Sequence, residues 1–294
     1  MTNLNFDQEW QDYVTLRNGA EHSVVGTLKV YPQLHSPQLD NQRDILVYLP
    51  PAYTQGDKRY PVIYMHDGQN LFDRVTSYAG EWQVDETMET LSQEGLEAII
   101  VGIPNMGVER MAEYSPFPDA RHGGGRGEAY LAFLVETVKP LIDRDFRTLT
   151  GRLHTGIIGS SMGGLISLYA FFRYADHFAL AGVMSPSVWF ARPALSDFLH
   201  STPRRGVRGS SFAPGKLYLD VGAQEFSHHF SDLLLLRLRS RRYTAVVRSL
   251  RQLLQELGYQ DERMLLYVEE RGAGHNEAAW GSRLPNALRF LLRP

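Results

Sequence analysis

A serine flanked by glycines is the feature of this chain from which chemistry is most readily inferred. Residues Gly159 to Gly163 read Gly-Ser-Ser-Met-Gly and match the pattern G-x-S-x-G, with Ser161 at its centre. This pattern forms a sharp turn between a strand and a helix that exposes the serine hydroxyl. An apolar run, Thr155–Gly159, precedes the motif, and a helical segment, Leu165–Tyr174, follows it. No lysine follows the glycines as a phosphate-binding loop requires, so Ser161 is predicted to be a nucleophile.

The base that Ser161 needs is predicted to be His275. A serine hydroxyl is a weak nucleophile by itself, and in folds that use this turn a serine, an acid and a histidine follow in that order. His275 lies in the sequence Gly-Ala-Gly-His, directly after the strand-like run Met264–Val268. In open α/β sheets, the binding and catalytic sites lie in loops at the carboxyl ends of the parallel strands. The loop of His275 would therefore bring the imidazole to the same edge of the sheet as Ser161.

Two carboxylates compete for the role of the acid. The acid should follow the preceding strand-like run, Lys216–Val221, and Glu225 lies just past the end of that run. Asp220 lies inside it, where its side chain would point into the packing of the sheet. The position favours Glu225 and leaves Asp220 as the alternative. The acid would orient the histidine and stabilise its imidazolium form without taking its proton.

Two main-chain amides are predicted to stabilise the oxyanion of the reaction. One is the N–H of Met162, at the start of the helix that follows Ser161. The other is the N–H of Gln69, in the loop after the strand-like run Pro61–His66. Gly68 allows the backbone of that loop to approach closely. A pair of such donors lowers the barrier by a few kcal/mol.

The composition excludes several kinds of chemistry. The 294 residues contain no cysteine, which excludes disulfides, thiolate nucleophiles and Cys-ligated metals. Glu225, His228 and His229 are close enough in sequence to suggest a metal site, but Glu225 is already assigned and no further ligand cluster is evident, so neither a metal nor a cofactor is expected. The 30 basic and 33 acidic side chains leave a net charge of −3, which argues against nucleic-acid binding.

Strand-like and helical segments alternate along the chain and predict a doubly wound, mainly parallel α/β sheet. Ala98–Ile103 is apolar throughout, which is typical of a strand buried on both faces of such a sheet. The strand-like runs are Val24–Tyr31, Ile45–Leu49, Pro61–His66, Ala98–Ile103, Thr155–Gly159, Phe178–Ser185, Lys216–Val221 and Met264–Val268. The helical segments are Trp82–Gln93, Glu128–Ile142, Leu165–Tyr174, Tyr243–Leu257 and Asn286–Leu292.

Residues 1–294 are predicted to form a single domain, with residues 1–42 as an N-terminal extension of antiparallel strands. The first residues lack the basic region and apolar run of a secretory signal, and no apolar stretch reaches the ~20 residues that a membrane span needs. A cytoplasmic protein that does not bind membranes is therefore expected.

The stretch Asp232–Arg242 combines a run of leucines with a cluster of arginines. A helix with its leucines on the core and its arginines in solvent is favoured. A substrate lid and an oligomer contact are the alternatives, because exposed apolar patches often mark interaction sites. A homodimer through this stretch or through the N-terminal segment is left open.

Several motifs, taken in order, resemble an esterase family that includes enterochelin-esterase-like enzymes, esterase D, and feruloyl and acetyl carbohydrate esterases. As an ordered set they are far more specific than any one of them, and the resemblance covers residues 43–294. The motifs are YMHDGQNLFD at Tyr64–Asp73, EWQVDE at Glu81–Glu86, VGIPN at Val101–Asn105, RMAEYSP at Arg110–Pro116, GSSMGGL at Gly159–Leu165, SPSVWF at Ser185–Phe190, LYLDVGAQE at Leu217–Glu225 and GHNEAAW at Gly274–Trp280.

The resemblance implies an α/β-hydrolase fold and a serine esterase that hydrolyses a small-molecule ester through an acyl-enzyme. It places the acid at Glu225 and the second oxyanion amide at Gln69, and it implies no cofactor. Acyl transfer to a sugar or alcohol acceptor is the alternative, since it would use the same three side chains. A non-catalytic binding protein on this fold is a further alternative, which the complete Ser-Glu-His set disfavours.

The resemblance also suggests substrate-binding residues. Arg110 and Tyr114 match a family stretch that often borders the site, so they either line the substrate pocket or hold a loop through an ion pair. Trp189 matches a region that borders the acyl or alcohol pocket in relatives, with a buried aromatic side chain as the alternative. Asn70, next to Gln69, is a further candidate.

Overall fold

The computed structural model describes residues 9–17, 20–202, 215–226, 233–259 and 262–293. Its strands are β1 (Gln11–Asp12), β2 (Thr27–Ser36), β3 (Asn41–Leu49), β4 (Val62–His66), β5 (Ile99–Ile103), β6 (Pro118–Asp119), β7 (Gly123–Gly124), β8 (Thr155–Ser160), β9 (Leu180–Met184), β10 (Lys216–Gly222) and β11 (Leu265–Glu270). Its helices are α1 (Tyr13–Leu16), α2 (Val84–Gln93), α3 (Arg110–Glu113), α4 (Gly127–Ala132), α5 (Lys139–Asp145), α6 (Met162–Arg173), α7 (Arg192–Ser201), α8 (Leu233–Glu256) and α9 (Glu277–Leu292).

Nine of these strands form one sheet in the order β1-β2-β3-β5-β4-β8-β9-β10-β11. The six strands from β5 to β11 are parallel to one another, and β1, β2 and β3 extend the sheet in antiparallel pairs. Ser160 of β8 and Asp220 of β10 both pair with Met184 of β9, so the carboxyl ends of these three strands lie together. The predicted α/β fold with antiparallel N-terminal strands is confirmed.

The sheet is covered on both faces, which explains its apolar strands. In β5, Ile99 and Val101 pack in one core cluster and Ile100 packs in the other, because successive side chains of a strand point to opposite faces. The first cluster includes Leu165 of α6, and the second includes Leu288 of α9. Within the described ranges, no helix is long and apolar enough to cross a membrane.

The Leu-rich stretch belongs to α8, which is longer than the predicted helix Tyr243–Leu257. Leu236 is buried, whereas Leu235 and Leu238 remain 58% and 43% exposed. The prediction that the leucines of this stretch pack on the core is therefore correct for Leu236 and wrong for the other two. Asp232, where the stretch begins, lies outside the described residues.

Candidate active site

Ser161 lies at the turn between β8 and α6, as the G-x-S-x-G pattern predicts. Its backbone angles, φ 56° and ψ −118°, are unusual for a residue with a side chain, so the surrounding packing must hold it in this conformation. A Cβ atom on Gly159 would lie 2.6 Å from the ring of His66 and 2.7 Å from the backbone of Gly163. The tight turn therefore requires glycine at position 159.

Ser161, His275 and Glu225 form one line of contacts at the carboxyl edge of the sheet. The Oγ of Ser161 lies 2.9 Å from Nε2 of His275, and the other ring nitrogen, Nδ1, hydrogen-bonds Oε2 of Glu225. Glu225 is buried, and its Oε1 accepts hydrogen bonds from the backbone N–H of Gly222 at 2.6 Å and from the hydroxyl of Ser185 at 2.7 Å. Both oxygens of the carboxylate are thus held in place.

Asp220, the alternative acid, has a different partner. It is fully buried in β10, and its Oδ2 accepts a hydrogen bond from Nε of Arg283 at 2.8 Å. Its Oδ1 accepts from the backbone N–H of Ser185 at 2.9 Å. Burial raises the pKa of Asp220 although Arg283 opposes the rise. Arg283 also donates to the Ser185 hydroxyl at 3.1 Å, so the ion pair is connected to Glu225 through Ser185.

Three aromatic rings surround the imidazole of His275. Phe226 stacks on it with the ring planes 13° apart, and Trp280 meets it edge-on with the ring centres 4.9 Å apart. Tyr243 also meets it edge-on and donates its hydroxyl to the backbone carbonyl of Ser185 at 2.5 Å. This packing limits the orientations of the ring and leaves Nε2 toward Ser161.

The two predicted oxyanion donors lie near Ser161, one in the serine turn and the other in the loop after β4. Met162 is the first residue of α6, and the first N–H groups of a helix have no partner inside it. Gln69 lies in a single helical turn, Gly68–Asn70, directly after β4, and lines the same cavity as Ser161. A Cβ atom on Gly68 would lie 2.7 Å from the backbone of Gly102, so glycine there lets this loop lie against β5.

An ion pair holds the loop that carries Gln69. Arg110 donates two hydrogen bonds of 2.7 Å to the carboxylate of Asp67, and Asn105 adds a third at 2.6 Å. Although burial favours the protonated acid, the Arg110 charge keeps the pKa of Asp67 below its ordinary value. The backbone N–H of Asp67 donates to the hydroxyl of Tyr114 at 3.1 Å. Tyr114 is fully buried and therefore supports the loop, whereas Arg110 both supports it and lines the cavity.

Two cavities share Ser161 and His275. The first has a volume of about 490 Å³ and is mainly aromatic and aliphatic, with two arginines among its lining residues. Its other lining residues are Ser187, Val188, Trp189, Phe226, Arg239, Arg242, Tyr243 and Val246. Trp189 is 43% exposed, so it lines this cavity and is not the buried aromatic of the alternative prediction.

The second cavity is larger, about 870 Å³, and more polar. It contains Asp67, Gln69, Asn70, Tyr78, Ala79, Trp82, Asn105, Gly107, Val108, Arg110, Ser160, Glu277 and Trp280. The side chain of Asn70 accepts a hydrogen bond from the backbone of Tyr78 at 3.0 Å and lies 3.5 Å from Glu277. The four substrate-binding candidates thus divide between the apolar cavity (Trp189), the polar cavity (Asn70 and Arg110) and the supporting structure (Tyr114).

Several residues near the site were not predicted from the sequence. Ser187 places its Oγ 3.1 Å from that of Ser161. Ser185 donates to Glu225, and Arg283 donates to Ser185. The motif Ser-Pro-Ser at 185–187 was a signal for the two serines, but Arg283 lies in a helix with no motif around it. The sequence also suggested a metal site formed by Glu225, His228 and His229. Glu225 hydrogen-bonds His275 instead, and the two histidines lie outside the described residues.

The mainly parallel sheet and the serine turn after β8 define an α/β hydrolase. The chain belongs to the family described as "Putative esterase", whose profile matches residues 36–291, and it is a carboxylic ester hydrolase. It is 28% identical over 258 residues to the uncharacterized protein YbbA of Bacillus subtilis (strain 168), covering 85% of this chain and 92% of that protein.

Two further relatives have names that state an activity. The chain is 29% identical over 260 residues to the ferri-bacillibactin esterase BesA of Bacillus subtilis (strain 168), covering 80% of each protein. The solved structure of the siderophore hydrolase EstA from Aspergillus nidulans matches with a TM-score of 0.70 and 21% identity, covering 90% of this chain and 93% of that one. At this identity the likeness to EstA concerns the fold alone.

Proposed function

We propose that this protein is a serine esterase in which Ser161, His275 and Glu225 form the catalytic triad. The observation that carries the proposal is the line of contacts from the serine hydroxyl through both imidazole nitrogens to a buried carboxylate. A base within hydrogen-bond reach of a serine, itself oriented by a third group, is the arrangement that activates a serine nucleophile. Membership in an esterase family supports the same chemistry.

The reaction has two halves with the same catalytic groups. Ser161 Oγ bonds to the ester carbonyl carbon as Nε2 of His275 takes its proton, and the N–H groups of Met162 and Gln69 donate to the oxyanion that forms. The bond to the alcohol oxygen then breaks, and His275 returns the proton to that oxygen. In the second half, water attacks the acyl carbon as His275 takes its proton. The bond from that carbon to Oγ of Ser161 then breaks, His275 returns the proton to Oγ, and the acid leaves. Glu225 stabilises the imidazolium in both halves.

The lining of the apolar cavity supports a substrate class. Trp189 and Phe226 contribute aromatic rings to this lining, and Arg239 and Arg242 contribute guanidinium groups that bind anions. An ester with an aromatic, negatively charged body suits such a lining. BesA is named for ferri-bacillibactin, so we infer that siderophore esters are the natural substrates of this protein.

Kinetics of serine variants test the mechanism. Ser161→Ala should lower kcat on p-nitrophenyl butyrate by more than about 10³-fold, as expected when a triad nucleophile is removed. Ser249→Ala, at an exposed position of α8, is the matched control and should keep wild-type kcat. Mass spectrometry after labelling with a fluorophosphonate should find the adduct on Ser161. An adduct on Ser160 or Ser187, or full activity of Ser161→Ala, would contradict the proposed nucleophile.

Product analysis separates hydrolysis from acyl transfer, which uses the same triad. With a ferric siderophore ester as substrate and a sugar or glycerol present, we expect the free acid as the main product. An acylated acceptor that forms faster than the free acid would assign acyl transfer to the same site. If p-nitrophenyl esters are cleaved and siderophore esters are not, the triad stands and the inferred substrate class is wrong.

A further inference from the structure

Three carboxylates gather beside the active site without taking part in the proposed reaction. Glu81, Asp85 and Glu86 each place one oxygen within 4.8 Å of the others, at the start of α2. The hydroxyl of Ser23 donates to Glu81 at 2.9 Å, and the backbone N–H of Val25 donates to Oδ2 of Asp85 at 2.7 Å. The N-terminal segment thus lies against the cluster and helps to exclude water from it.

Within the part of the chain that the structure describes, two oxygens of this cluster are buried without a hydrogen-bond partner. They are Oδ1 of the fully buried Asp85 and Oε2 of the half-buried Glu86. Oxygens of ionised carboxylates only accept hydrogen bonds, so neighbouring carboxylates cannot satisfy each other unless a proton or a cation lies between them. Leaving such oxygens unpaired away from water is costly.

Among the described residues, the side chains near the cluster do not balance its charge. Among charged neighbours, Glu86 has the largest effect on the pKa of Asp85, and because both carboxylates are negative it raises that pKa. The positive charge of Arg74 lowers the pKa of Glu81, but Arg74 also forms an ion pair with Glu21. The positive end of α2 contributes about half a charge against three carboxylates.

A second group of charges around the cluster is also mainly negative. The negative charge of Asp73 raises the pKa of Glu81, and Arg17 forms an ion pair with Asp73 at 3.7 Å. Glu89, one turn further along α2, hydrogen-bonds the hydroxyl of Tyr48. The region therefore keeps an excess of negative charge that a bound cation would neutralise.

We propose that Glu81, Asp85 and Glu86 bind one Ca²⁺ ion. Carboxylate oxygens are the ligands that hard divalent cations prefer. The three oxygens lie within 4.8 Å of one another, close enough for one ion to contact all of them. Ca²⁺ is favoured over Mg²⁺ because Mg²⁺ gives up its water shell reluctantly and is usually held by one or two carboxylates, whereas this cluster offers three. This proposal does not depend on the proposed function.

The cation would stabilise one wall of the active site. Trp82 lies between Glu81 and Asp85 in the chain, lines the polar cavity, and donates its backbone N–H to the carbonyl of Asn70 at 2.9 Å. Its ring packs on Trp280, which in turn packs edge-on against His275. An ion held by residues on both sides of Trp82 would fix this stack of rings.

Thermal unfolding of the full chain tests the proposal. After dialysis against EDTA, CaCl₂ at pH 7.5 and constant ionic strength should raise the Tm by at least about 3 °C in a saturable way, and MgCl₂ should raise it less. Asp85→Asn should abolish this rise. Glu94→Gln, just past the other end of α2, is the matched control and should keep it. If Asp85→Asn does not fold, Glu81→Gln should raise the half-saturating Ca²⁺ concentration at least tenfold.

A proton is the competing occupant, and pH distinguishes it from a cation. Burial and the adjacent carboxyl group of Glu86 raise the pKa of Asp85 to about 8, so a metal-free native state holds a proton there that the unfolded state has lost. The contribution of Asp85 to stability in EDTA should then fall as pH rises from its ordinary pKa of 3.8 to about 8, and saturating Ca²⁺ should remove this fall. The proposal is overturned if Ca²⁺ leaves the Tm of the wild type unchanged, or shifts the wild type and Asp85→Asn equally.

Discussion

At the scale of single residues, Ser185 connects the proposed catalytic acid to a buried ion pair. Its hydroxyl donates to Glu225 and accepts from Arg283, and its backbone N–H donates to Asp220. The two buried carboxylates therefore have separate roles. Asp220 neutralises and positions Arg283, and Glu225 is left to face His275.

Removing the Ser185 hydroxyl should affect catalysis more than folding. Ser185→Ala leaves the Asp220–Arg283 pair in place but takes one donor from Glu225. A hydrogen bond to a charged group contributes about 1.5–3 kcal/mol, so kcat on p-nitrophenyl butyrate should fall by about 10- to 100-fold with little change in KM. The readouts are steady-state kinetics and the Tm.

Ser167→Ala is the matched control for that variant. Ser167 is equally buried, but its hydroxyl donates to the backbone of Gly163 within α6. Its substitution should leave kcat within about twofold. If Ser185→Ala keeps wild-type kcat, Ser185 does not position Glu225.

At the scale of elements, the loop after β4 is held against β5 by close backbone packing. Gly68 has no room for a Cβ atom, since the backbones of Gly102 and Pro104 would each lie 2.7 Å from it. Gly68→Ala should displace the N–H of Gln69 and lower kcat by about 10²- to 10³-fold, which is the cost of losing one oxyanion donor. Steady-state kinetics on p-nitrophenyl butyrate would measure it.

Gly151→Ala is the control for Gly68→Ala. Apart from its chain neighbours, no heavy atom of the described residues lies within 4 Å of the Cβ position at Gly151, so the added methyl group meets open space. This variant should keep wild-type kcat and Tm. An equal loss of kcat in both variants would show that the effect is general and not caused by displacement of Gln69.

The elements differed in how well the sequence predicted them. Buried strands such as β5 were located within one residue, because an apolar run bounded by turn residues has few other interpretations. The helix α9 was predicted only from Asn286 onward because Pro285 lies inside it, and proline usually ends a helix. Ser161, Glu225 and His275 were identified because each lies just after a predicted strand, in the order serine, acid, histidine. Arg283 could not be predicted, since a charged residue in a helix is ordinarily exposed.

At the scale of the whole molecule, one buried histidine should shape the dependence of stability on pH. His66 is buried between the serine turn and Tyr130, whose hydroxyl lies 2.8 Å from its Nδ1. Burial lowers the pKa of His66 to about 3. Between pH 3 and the ordinary histidine pKa of about 6.5, the unfolded chain binds a proton that the native state does not, so stability rises with pH in this window.

Replacing His66 should remove this contribution. The free energy of unfolding of the wild type should include a term that changes by about 1.4 kcal/mol per pH unit across the window, and His66→Gln should lack it. Urea unfolding at pH 4.5, 5.5 and 6.5 would measure the slopes. His154→Gln, at an exposed position, controls for the substitution itself. Equal slopes in the wild type and His66→Gln would show that His66 is not held neutral in the native state.

The placement of His275 and Arg283 after β10 has a consequence for biosynthesis. Ser161 and its turn leave the ribosome long before the last strand of the sheet and the helix α9, which carries Arg283 and Trp280. A nascent chain that has folded as far as β10 therefore exposes a serine with no base beside it and an Asp220 with no counterion. We expect the growing polypeptide to remain inert toward esters until α9 has emerged and docked.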